Sequence, residues 1–305
     1  MMKSLAIRAA IAAGALLAMV CCQRIDIIDT TSNYKIETSY DESAILYKQA
    51  EAVNNLSLIL FDTQIHNKSQ SYLLAKEGGY LPESVMAGEY TLFLYQMDLG
   101  STLLKRTDDI DYTHFTTSTA EDKDGIKIYG EPTHVFQYCA PLSLPTLAED
   151  EEFVHKATMR SVCDSWRVII SGMTGAKYAT KADMYIHNQC TMFLAGTNKP
   201  SGEGVLHHEM LGEMRSAAED GTVTCDFCTF GMPEEDKTVN IQLNLYSGSE
   251  KFSKIFDVTS QVYNPSNTEH IIKIKYEIQF VESTTGGLEP SAQEWEEDTE
   301  VIDLS

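Results

Sequence analysis

Cys225 and Cys228 have the spacing of a redox dithiol or of half a zinc site. A redox pair of that spacing opens a helix after a strand, whereas Thr222 to Phe230 reads as strand. No second Cys-x-x-Cys completes a tetrahedral set. The pair therefore reads as two small hydrophobes in a core strand. His207-His208-Glu209, with Glu213 beyond, supplies metal-ligating side chains but lacks the His-Glu-x-x-His spacing of a helical zinc site. These residues read as polar positions on a strand or edge. The loop from Ala120 to Glu131 matches a calcium loop at Asp122, Asp124, Gly125 and Glu131. Ala120 stands where the first carboxylate belongs, so a turn between strands is the better reading. Nucleophile elbows, phosphate loops and dinucleotide fingerprints are all missing from the sequence. Carboxylates are so frequent that no pair of them singles out acid–base chemistry. No catalytic residue, metal-ligand set, cofactor or small-molecule substrate is expected, and the chain reads as a non-enzyme.

Acylation of a cysteine is the chemistry with direct support. Lys3 and Arg8 lead an apolar run from Ile11 to Val20, too short for a permanent span but suited to a secretory signal. The run ends in Cys21-Cys22. A cysteine directly after such a run is the bacterial lipoprotein pattern, in which the thiol is diacylated and becomes the first residue. Small residues should precede it, so Cys22 after Cys21 fits better than Cys21 after Val20. Residues 1–21 are read as signal peptide. Several acyl chains on one residue anchor stably, where one chain alone is marginal.

The 23 basic and 45 acidic residues give a net charge of −22. So acidic a surface argues against nucleic acid, whose phosphates demand a basic face. It also argues against passive adhesion to anionic lipid. Hydrophobic residues make up 43 %, enough to close a core and too many for a disordered chain. Beyond Cys22, the cysteines at 139, 163, 190, 225 and 228 are odd in number and form no regular disulfide framework.

Period-two alternation dominates the chain and sets the elements. Val239, Ile241, Leu243 and Leu245 alternate with Asn240, Gln242 and Asn244. Ile272, Ile274, Tyr276, Ile278 and Phe280 alternate with Lys273, Lys275, Glu277 and Gln279. Each pattern gives one buried and one wet face of an antiparallel strand. Leu56, Leu58 and Leu60 alternate too, while Glu89 to Met97 is apolar on both faces, as a central strand would be. Further strands are expected at 133–139, 157–163, 166–170, 184–193 and 223–230. Helix is scarce, with Glu42 to Val53 the one stretch of some length.

Pro141, Pro145 and the acidic run Glu149 to Glu152 mark a boundary, since prolines resist sheet interiors and clustered charge prefers water. The fold class is thus all-β: two tandem antiparallel β-sandwich domains after a lipoprotein signal peptide. The units are expected at 22–145 and 146–286, followed by an acidic C-terminal tail over 287–305.

Three segments carry a family resemblance. Gly79 to Gln96 (GYLPESVMAGEYTLFLYQ) resembles the "Ala-Gly-Glu-Tyr, strand" step of fimbrillin-type lipoproteins of the Bacteroidetes. Ile169 to Ala176 (IISGMTGA) resembles the "strand, Ser-Gly-Met" signature of their second domain. Thr229 to Val262, opening on TFG and closing on FDVT, is similar to the block before their last core strand. With the lipoprotein cysteine and the late alternating strand, the resemblance spans nearly the mature chain, and the order of the motifs carries it. It implies transthyretin-like sandwiches, fimbrial subunit proteins as partners, and a lipid-anchored place in the outer membrane at the cell surface. An anchor or minor fimbrial subunit, joined to its partners by β-strand addition, is the role it implies.

The tail fits such a role. It is rich in acid and closes on an apolar piece in which Val301, Ile302 and Leu304 are donor-strand candidates. An equal alternative is that the tail caps this protein's own sheet edge. A different class of function, a glycan- or protein-binding lipoprotein of an outer-membrane uptake complex, needs exposed aromatic platforms. Only Trp166 and Trp295 are available as tryptophans.

Overall fold

The structure, a computed structural model, describes residues 31–63, 68–121, 125–233, 237–281 and 291–294. It is 57 % strand and 5 % helix, so the all-β class stands.

In chain order the strands begin with β1 (Thr31–Asp41), β2 (Asn55–Asp62), β3 (Lys68–Ala75), β4 (Gly78–Pro82) and β5 (Gly88–Gln96). Four short ones follow: β6 (Leu103–Lys105), β7 (His114–Thr116), β8 (Thr119–Glu121) and β9 (Lys127–Tyr129). Then come β10 (Phe136–Leu144), β11 (Phe153–Ser161), β12 (Asp164–Thr174), β13 (Lys181–Gln189), β14 (Met192–Leu194), β15 (Lys199–Ser201) and β16 (Gly204–Glu209). The last are β17 (Val223–Thr229), β18 (Asn240–Ser247), β19 (Glu250–Asp257), β20 (Ile271–Val281) and β21 (Ser291–Glu294).

The first core lies inside a closed barrel ordered β1, β11, β10, β5, β2, β3 and β4, with β4 returning to β1. Closure removes the free edges that an open sandwich would present. Its pairs are antiparallel except β1 with β11, which run parallel from Tyr34↔Phe153 to Asp41↔Arg160. Alternation on β2 and β5 decides what fills it. Leu56, Leu58, Leu60, Leu92 and Leu94 point inward, while Ile59, Phe61 and Phe93 point outward and are buried there too. The expectation of a strand apolar on both faces is met by β5. Each such Leu contributes about 2 kcal/mol by burial.

The second core lies between two sheets, one ordered β17, β12, β20, β21 and the other β19, β18, β13, β16, β9, β8. Ile272, Ile274, Tyr276, Ile278 and Phe280 of β20 face Ile241, Leu243 and Leu245 of β18 across it. Both alternating runs read from the sequence thus bury the expected face.

Strands β8 and β9, which precede the expected boundary at 145–146, lie in a sheet of the second core, while β11, which follows it, pairs with β1 and β10 in the barrel. The acidic run Glu149 to Glu152 is the solvated connection between β10 and β11. No helix forms over Glu42–Val53. Tertiary contacts overrule its propensity: Ile45, Ala50 and Val53 pack on the barrel core. Leu46 and Tyr47 donate their N–H groups to Ser165 Oγ at 2.9 and 3.3 Å. The Tyr47 ring covers the Arg167 guanidinium at 4.2 Å, and Arg167 is itself held by two bonds to Asp226.

Candidate functional site

The two cores meet at a third cluster. Ile59, Phe61 and Phe93 of the barrel's outer face pack with Phe115, Val135, Cys163, Cys228 and Phe230. Phe93 and Phe115 meet edge to face with centroids 6.1 Å apart, a favoured ring geometry. Polar side chains drawn from both halves of the chain line this junction.

Strand geometry decides which sequence motifs come together, because successive side chains on a strand point to opposite faces. On β16, His207 and His208 diverge. His207 Nε2 meets Asp183 Oδ1 at 2.9 Å, and Glu209 is exposed. The His207-His208-Glu209 grouping is therefore split. His208 instead lies between two carboxylates, with Nδ1 at 3.0 Å from Glu131 Oε2 and Nε2 at 3.2 Å from Glu213 Oε1. A short helix, Leu211–Arg215, presents Glu213.

Glu131 is the hub. Its Oε1 accepts from Lys48 Nζ at 2.6 Å and from the Cys228 backbone N–H at 2.7 Å. The carboxylate that closes the loop with the partial calcium-loop match is thus engaged at both oxygens by protein donors. Asp122 and Asp124 of that loop lie outside the described residues. Burial disfavours the His208 charge, but hydrogen bonds and attraction from Glu131 and Glu213 prevail and push its pKa up to about 9. Burial likewise opposes ionisation of Glu131, yet His208 and Lys48 hold its pKa below the usual carboxylate value. The network is an ion-paired clamp across the junction.

Cys225 and Cys228 also diverge, being three apart on β17. Cys225 enters the second core, as its reading as a small hydrophobe requires. Cys228 enters the junction and lies beside Cys163 and His134. His134 Nδ1 stands 3.4 Å from Cys163 Sγ and 2.8 Å from Ser161 Oγ. One donor atom from each of His134, Cys163 and Cys228 lies within 4.8 Å of the others. All three residues are buried. The sequence reading found no metal-ligating set; among the described residues, the fold assembles this one. Hydrogen bonding from the Cys163 thiol, joined by His134, lowers the Cys228 thiol pKa, whereas burial raises that of Cys163.

No spacing rule finds such a cluster, since His134 and Cys163 alone are 29 residues apart. The odd cysteine count was the only trace. Trp166 is buried and stacked on His270 with centroids 4.5 Å apart, so it offers no platform to a sugar. Cys21, Cys22, Trp295, Val301, Ile302 and Leu304 lie outside the described residues. The start of the tail is described: β21 adds antiparallel to β20, from Ile278↔Glu294 to Val281↔Ser291.

No protein-family model matches the chain, and no curated protein matches it. Solved structures do. A candidate adhesin from Bacteroides ovatus is 15 % identical and aligns over 79 % of this chain and 88 % of its own, with TM-score 0.59. A candidate polysaccharide-binding protein from Bacteroides thetaiotaomicron is 10 % identical over 81 % of this chain and 91 % of its own, with TM-score 0.53. The fimbrial anchor protein Mfa2 from Porphyromonas gingivalis is a looser likeness, 10 % identical over 86 % and 98 %, with TM-score 0.48. At these identities the first two likenesses establish a shared fold.

Proposed function

We propose that this chain is a lipid-anchored surface protein, a structural and adhesive component of a fimbria in the anchor or minor-subunit position. Its two β units, followed by the acidic tail, join partner subunits by β-strand addition. The ordered fimbrillin-like segments support the family, and the fold shared with a candidate adhesin agrees with it. Acylation at Cys22, with Cys21 the second choice, holds the chain at the outer membrane in this reading. No catalytic step is assigned to it.

The observation that carries strand addition is β21. The tail already behaves as an added strand, pairing through its backbone with β20 of its own sheet. The contact covers only Ile278 to Val281 of a strand that begins at Ile271. Backbone pairing of this kind gives affinity without demanding a sequence, while alternate side chains supply specificity. In this reading residues 291–294 clamp the tail to its own sheet, and the segment beyond, with Val301, Ile302 and Leu304, is offered to a partner.

The test is a chain lacking residues 296–305. Its fold and membrane tether should match the full chain, while co-purification of a fimbrial shaft subunit from cross-linked outer membranes falls. Unchanged recovery of the shaft subunit removes the donor role, and recovery of uptake-complex proteins alone favours the glycan-binding role instead.

A further inference from the structure

We propose that His134, Cys163 and Cys228 form a buried site for a thiophilic d10 metal ion of the zinc class, bridging the barrel and the second core.

The residue types are those such ions select: two sulfurs and one imidazole nitrogen. Their spacing agrees. Zinc–sulfur and zinc–nitrogen bonds at a tetrahedral angle place the two donor atoms about 3.6 Å apart. Cys163 Sγ and His134 Nδ1 are 3.4 Å apart. The cluster is enclosed, with His134 1 %, Cys163 2 % and Cys228 1 % exposed.

Charge also fits. Binding displaces the thiol protons, and a dication on two thiolates and a neutral imidazole is electrically neutral. Neutrality suits a pocket walled by Val135, Phe230 and the other side chains of the junction. Outer contacts hold the ligands in place. Ser161 Oγ accepts the Cys163 N–H at 3.2 Å, and Glu131 accepts the Cys228 N–H. Such partners orient ligands before the metal arrives.

The rival fate of two neighbouring thiols is a disulfide. Cys163 stands one residue before β12, whose Asp164 pairs with Thr229, and both cysteines are free thiols. A shared metal takes up both sulfurs with no change of oxidation state.

The test is elemental analysis of the full chain purified without chelator, followed by zinc titration of chelator-treated protein watched by thermal melting. About one zinc per chain is expected, with Tm falling by roughly 5 °C on chelation and recovering with added zinc. Cys163→Ser, Cys228→Ser and His134→Gln should each lose the metal, while Cys225→Ser, on the opposite face of the same strand, should keep it. The chelator arm needs no variant, so a misfolded mutant leaves the question answerable. Protein that takes up no zinc, variants that retain it, or a Cys163–Cys228 cross-linked peptide in the mass spectrum each overturn the site.

Discussion

The Gln261 side-chain amide pairs with both backbone groups of Lys273: Nε2 donates to the Lys273 carbonyl at 2.9 Å, and the Lys273 N–H donates to Oε1 at 2.8 Å. Asn267 does the same for Ile271, at 2.8 and 3.0 Å. On the other side of β20, β12 runs alongside, with the Arg167 N–H donating to the His270 carbonyl. Odd-numbered residues of β20 thus turn their backbone groups away from β12. Two of them are satisfied by side-chain amides, and β21 takes the far end. The edge is occupied piecewise, which is how a folded β protein avoids indiscriminate strand pairing.

Gln261→Leu should expose that edge. Gln261 is fully buried, and its loss leaves the Lys273 N–H and carbonyl without partners at a cost of about 2 kcal/mol. Urea denaturation should register the loss, and size-exclusion chromatography should register new self-association. A variant that is as stable and as monomeric as the parent removes the edge-blocking role.

Gly78 closes the barrel. Its φ is +94°, and an added Cβ would stand 2.0 Å from the Ile36 carbonyl oxygen of β1. Neither the backbone conformation nor the space admits a side chain. Gly78→Ala should destabilise the protein by about 3 kcal/mol and weaken the pairing of β1 with β4. Hydrogen exchange should then quicken at β1 first. Equal exchange in β1 and in β20 would remove the special role of this seam.

Much of this fold was legible because period-two alternation is a strong local signal. The runs ending at Leu245 and Phe280 bury the faces that their spacing requires. The barrel closure was not legible, since the parallel pairing of β1 with β11 joins residues such as Tyr34 and Phe153, which no local pattern links. The segment Glu42–Val53 misled for a related reason: Lys48 and Tyr47 are committed to Glu131 and Arg167, distant partners that outweigh helix propensity. At the junction, strand alternation divided two of the motifs suspected of chemistry. His208 parted from His207 and joined Glu131, while Cys228 parted from Cys225 and joined Cys163.

The proposed lipid anchor makes a separate prediction. Cys22→Ala should abolish acyl labelling and move the chain from the membrane fraction to the soluble fraction, while Cys21→Ala should keep both label and tether. Metabolic labelling with a radioactive fatty acid reads this directly. Label lost only in Cys21→Ala moves the site by one residue, and an unlabelled parent chain removes the lipid anchor.

The His208 clamp gives stability a particular pH dependence. The imidazolium is bonded to Glu131 and Glu213, with Lys48 on the other side of Glu131. Its pKa of about 9 lies above the ordinary 6.5, so the folded chain holds a proton that the unfolded chain has released across that interval. The stabilisation is therefore complete below about pH 6.5 and is lost as pH rises through 9. The His208 side chain is 7 % exposed, so solvent screens it little, and the loss should be about 1–3 kcal/mol. Urea denaturation at pH 6, 7.5 and 9.5 measures it. His208→Gln lowers stability at pH 6 and flattens the slope between pH 6.5 and 9, because glutamine carries no proton to lose. A variant whose stability falls with pH as steeply as the parent's would place the titration elsewhere.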